Sequence, residues 1–145
     1  MKRNPFRLFM VLVIVVIAAG SASAFVARSA AADTDVAGSD LQQIEAAQIL
    51  AQSDAGYTSS VADLVSVTTE LGSPFPTRPG RALIIVASTD RKHFISATKL
   101  SNGAMLVRSD EHREPASCAS YTPDCIGALT TDTSLINATP AWETY

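Results

Sequence analysis

The twenty residues from Leu8 to Ala27 carry no charged side chain, and they follow the basic opening MKRNPFR. Nothing else in the chain constrains it as strongly. At about 1.5 Å per residue, a helix of that length spans roughly 30 Å, the thickness of a bilayer's hydrocarbon core. Lys2, Arg3 and Arg7 precede the run, and Asp33, Asp35 and Asp40 follow it. That asymmetry predicts a cytoplasmic N-terminus and a body outside the membrane. The same residues also read as a secretory signal: a basic start, an apolar stretch from Leu8 to Ala19, and small residues in GSASA that fit cleavage between Ala24 and Phe25. A retained anchor and a cleaved signal therefore both remain open.

Beyond the apolar run, the 145-residue chain has room for one small domain. Its aromatic content is only 6%, so the core has to be built mainly from aliphatic side chains. Without Lys2, Arg3 and Arg7, the remainder holds 8 basic against 14 acidic residues. Such a body is a poor partner for nucleic acid, because binding a polyanion needs clustered Lys and Arg to release counterions. Cys118 and Cys125 are the two cysteines, and an oxidising compartment makes a disulfide between them the natural expectation.

Along the body, residues 1–7 are expected to be cytoplasmic and 8–27 to form the anchor or signal. Residues 28–38 form a linker or a continuing helix, and 39–145 an extracytoplasmic domain. Ser39 and Gln42 fit a capping box, which places a helix start near Asp40 and an end near Ala55. Leu41, Ile44, Ala47 and Ala51 recur at three- and four-residue spacing on one face. That stripe is the candidate helix-packing interface for partners. A shorter helix is expected over 61–71, with Ser60 and Asp63 as its capping box and Gly72 as its stop. SPFPTRPG, with three prolines, is a loop. RALIIVAS, KHFISATKL and AMLVRS are short β-prone runs, and Asn102-Gly103 between the last two is a strong hairpin-turn dipeptide. They predict a three-stranded antiparallel meander facing outward, with a cysteine-stapled tail and one edge strand at Ile126–Leu129.

Chemistry-bearing residues are sparse. His93 falls in a predicted strand and His112 in the charged run DEHRE, with nothing at metal-ligand spacing. No serine sits in a nucleophile elbow, and the six residues between the cysteines do not make a redox C-x-x-C. Asn137-Ala138-Thr139 is a formal glycosylation acceptor. The reading is of a non-enzyme without cofactor or metal.

The order of elements resembles the type IV pilin and type II secretion pseudopilin family. The most specific stretch is SDLQQIEAAQILAQSDAGYTSSVADLV, residues 39–65, with Tyr57, Thr58, Ser59 and Leu64 matching the family's turn after its long helix. The resemblance implies an α+β fold in which an N-terminal hydrophobic helix, an amphipathic helix and a short helix pack on a three- to four-stranded antiparallel sheet. It also implies a single-pass membrane subunit in a cell-envelope secretion or pilus system, with the membrane and other pilin-like subunits or secretion-machinery proteins as partners. Pro5 stands where the family usually has Gly, and Met10 where it has Glu. These departures imply a minor, tip-located or non-assembling member. A secreted envelope binding protein cut after Ala24 is the alternative.

Overall fold

A computed structural model describes residues 30–52, 55–70, 72, 75 and 81–144. The anchor or signal segment, including Ala24 and Phe25, lies outside the described residues. The chain divides into two units, Met1–Asp33 and Thr34–Tyr145, and the second is the compact domain described below.

Residues 30–51 are helical and form α1. Ser39 and Gln42 thus lie within the helix and do not cap its start. Alanines and straight-chain side chains carry the helix through these positions. Its inner face buries Ala37, Leu41, Ile44 and Ala47, and Ala51 packs partly buried beside them. Each large aliphatic side chain so buried contributes about 1.5–3 kcal/mol. The helix ends before the predicted Ala55, at residue 51.

Gln48 explains the geometry of the turn that follows. It is fully buried, and its side-chain amide donates to the Thr58 carbonyl at 2.6 Å and accepts from the Thr58 N–H at 3.1 Å. Both polar groups of a buried amide are thereby used, which keeps its burial from being costly. Gly56, at φ +81°, brings the chain so close to Arg91 that a Cβ there would sit 2.3 Å from the Arg91 carbonyl oxygen. Tyr57 N–H donates to that same oxygen at 2.9 Å. Helix α2, Val61–Glu70, then starts at the predicted cap: Ser60 Oγ accepts from the Asp63 N–H at 3.1 Å.

The sheet has five antiparallel strands in the order β4-β3-β2-β1-β5. They are β1 Ala82–Ala87, β2 Phe94–Lys99, β3 Met105–Ser109, β4 Ala116–Cys118 and β5 Glu143–Thr144. The first three form the predicted meander. At the Asn102-Gly103 turn, Gly103 has φ +87°, its N–H donates to the Leu100 carbonyl at 3.0 Å, and Asn102 Oδ1 accepts from the Ala104 N–H at 3.0 Å. This register places Ile95 opposite Ser109 and Lys99 opposite Met105.

Strand alternation splits the core in two. Leu83, Ile85, Phe94 and Leu106 face α1 and α2, whereas Ile84, Ile95, Ala97, Met105 and Val107 face the other way. The second face is not left open. It is covered by Ile126, Leu129 and Leu135, carried by the short helices α3, Pro123–Ile126, and α4, Thr133–Ile136. The edge strand expected at Ile126–Leu129 is therefore replaced by a helix end and a turn. Pro123 at the first turn of α3 suits a helix start and removes a strand donor. The edge strands are β4 and β5 instead, and Cys118 at the end of β4 is bonded to Cys125 of α3.

Candidate functional site

The predicted partner stripe is consumed inside the chain. Leu41, Ile44 and Ala47 are at most 2% exposed and belong to the core between α1 and the sheet. The large apolar side chains that α1 presents to solvent are its neighbours Ile49 and Leu50, 58% and 49% exposed. A helix with 3.6 residues per turn places these two about a third of a turn or more from the inner stripe. Periodicity therefore locates an apolar face correctly but does not say what covers it.

Between α1 and the sheet lies an unusual amount of polarity. Arg108 of β3 reaches up to Glu45 at 2.5 Å, and Arg81 pairs with Asp40 at 3.1 Å. Ser96 and Thr98 of β2 are fully buried on this same face, and neither hydroxyl has a hydrogen-bond partner. A groove of about 380 Å³ opens beside α1, lined by Asp35, Gly38, Ser39 and Gln42 of the helix together with Leu106 and Pro115. Neither histidine lines it.

The histidines lie at one end of the sheet. His93 Nδ1 donates to Asp110 Oδ2 at 2.8 Å and is 3.8 Å from Glu111 Oε1. The hydrogen bond to Asp110 is the main cause of a pKa held above the ordinary histidine value, with burial opposing it. The other oxygen of Asp110 accepts from the Phe94 N–H at 2.9 Å. Glu111 accepts from the Thr131 N–H at 2.8 Å and from its hydroxyl at 3.3 Å. Its pKa is held low, first by the Thr130 hydroxyl and then by the Thr131 amide. His112 is exposed and bonded to the Glu114 carbonyl at 2.9 Å. In the sequence neither histidine has a ligand-type residue at metal-ligand spacing. The signal for His93 lay in the hairpin register, since continuing the Ile95–Ser109 pairing by two residues sets His93 opposite Glu111.

Both carboxylates also hold backbone amides, Asp110 that of Phe94 and Glu111 that of Thr131. Among the described residues, no group of His, Cys, Asp and Glu could hold a metal ion, and no helix is long and apolar enough to cross a membrane. Asn137 is exposed, and its side chain donates to the Thr133 carbonyl at 2.9 Å. Tyr121 packs between β4 and the tail, where it donates to the Leu135 carbonyl at 2.7 Å; burial pushes its pKa up to about 12.

The architecture is an antiparallel sheet with α1 and α2 over one face and a disulfide-closed tail over the other. No protein-family model, curated protein or solved structure matches the chain.

Proposed function

We propose that the chain is a non-enzymatic, membrane-anchored, extracytoplasmic pilin-like subunit with a structural or assembly role in a cell-envelope secretion or pilus system. The observation that carries this reading is the disposition of α1. It follows the apolar run in sequence, commits one face to the sheet and leaves Ile49 and Leu50 outward. A subunit of this kind needs one helix to serve two purposes: its inner face completes the domain core, and its outer face meets a neighbouring subunit. The partner surface accordingly moves from Leu41, Ile44, Ala47 and Ala51 to the outer face around Ile49 and Leu50. The disulfide-closed tail and the antiparallel meander support the same reading, as does the use of His93, Asp110 and Glu111 in holding the fold.

Membrane fractionation with intact-mass measurement of the native protein tests the proposal. A membrane-bound species beginning at Met1 or Phe6 supports the anchor. A soluble species beginning at Phe25 overturns it in favour of the secreted binding protein. Photo-crosslinking residues placed at Ile49 and Leu50 are expected to capture a neighbouring subunit, with Leu41 as a buried control.

A further inference from the structure

Four segments meet at the end of the sheet that carries His93. They are the β1–β2 turn, the start of β2, the exit of β3, and the tail from Leu129 to Ser134. Ser109 Oγ donates to the Leu129 carbonyl at 2.5 Å, and the Thr89 N–H donates to Ser134 Oγ at 3.1 Å. Glu111 takes the Thr131 amide at 2.8 Å, and Asp132 caps α4 by accepting from the Ser134 and Leu135 N–H groups. These contacts fasten the tail over the outer sheet face.

The charge balance at this fastening is lopsided. His93 lies in the field of Asp110 and Glu111 at the exit of β3, of Asp132 at the N-cap of α4 and of Asp90 in the β1–β2 turn. Lys92, the adjacent cation, is paired with Asp90 at 3.8 Å. A neutral imidazole donates one hydrogen bond at Nδ1 and offsets no negative charge. An imidazolium neutralises part of the cluster and strengthens the bond to Asp110. Glu111, which holds the tail, is the second carboxylate within reach of that charge.

We propose that His93 is a proton-dependent clasp: when charged it holds Asp110 and Glu111 together and keeps residues 128–136 docked, and when neutral it lets that segment lift more readily. Lifting uncovers Ile84, Ile95 and Val107, an apolar surface otherwise buried in the outer cluster. The raised pKa of His93 supports the direction. A group that is more basic in the folded state contributes stability that is complete below its unfolded pKa of about 6.5 and is lost as pH rises through the folded value. Docking is therefore tighter in mildly acidic surroundings than in mildly alkaline ones.

Hydrogen–deuterium exchange on the full chain in detergent micelles, read by mass spectrometry and corrected for intrinsic exchange rates, provides the test. From about pH 6 to about pH 8.5, the protection of 128–136 relative to β2 should fall about three- to tenfold, the range set by losing one charge-assisted hydrogen bond. His93→Gln should abolish the pH step, and His112→Gln should keep it. A constant ratio in the unsubstituted protein overturns the clasp even if His93→Gln fails to fold. A step that survives in His93→Gln, or that vanishes in His112→Gln, overturns it as well.

Discussion

Thr98→Val is expected to stabilise the domain. Thr98 is completely buried on the α1 side of β2, between Leu83 and Leu106 on the neighbouring strands, and its hydroxyl has no hydrogen-bond partner. Valine keeps the shape and the β-branching while exchanging the hydroxyl for a methyl group. An unmade buried hydroxyl costs about 1–3 kcal/mol, so removing it should add about 1–2 kcal/mol. For a domain of this size, that corresponds to a rise in Tm of roughly 3–10 °C. Thr68→Val is the internal control. Thr68 is also buried, but its hydroxyl donates to the Leu64 carbonyl at 2.8 Å, so this change should be neutral or cost up to about 1 kcal/mol. Thermal and urea unfolding of both variants decide the matter. If Thr98→Val destabilises as much as Thr68→Val, the Thr98 hydroxyl is bonded in solution and the reasoning about this interface fails.

Three further outcomes are expected. Gly56→Ala places a Cβ 2.3 Å from the Arg91 carbonyl at a backbone conformation that alanine avoids; unfolding curves should show a loss of about 1–3 kcal/mol. Asp132→Ala removes the N-cap of α4 and should cost about 1 kcal/mol, whereas Asp132→Asn should recover most of it when the two are compared by urea midpoint. Replacing both Cys118 and Cys125 with Ser releases a loop closed over a sequence separation of 7 residues and should cost about 2–3 kcal/mol. Limited proteolysis of that double variant should begin in the tail; cleavage starting in α2 would contradict the tail's dependence on the bridge.

How much of this protein is legible from its residues depends on the range of each signal. Asn102-Gly103 implies a hairpin because the turn itself requires positive φ, and Gly103 has it. Ser60 implies the start of α2 because a cap acts within three residues. Ser39 and Gln42 match a cap equally well yet sit inside α1. A capping pattern shows what a helix start can use, and the favourable helix formers before it decide whether a start is needed. The helices α3 and α4 are four residues each, too short for an apolar period, so the tail gives no periodic indication of helix, and Ile126–Leu129 reads locally as a strand.

What the sequence by itself determined is everything carried by neighbours along the chain: the amphipathic helix, the meander, the turn between β2 and β3, and the pairing of its two cysteines. The tertiary structure alone decided which face each element spends. It turned Leu41, Ile44 and Ala47 inward, left Ile49 and Leu50 outside, laid the tail across Ile95 and Val107, and brought Thr131 to Glu111 across 20 residues of chain. The physical reason is that burial is a property of two surfaces. An apolar stripe records that something must cover it, and only the meeting of distant segments settles what does.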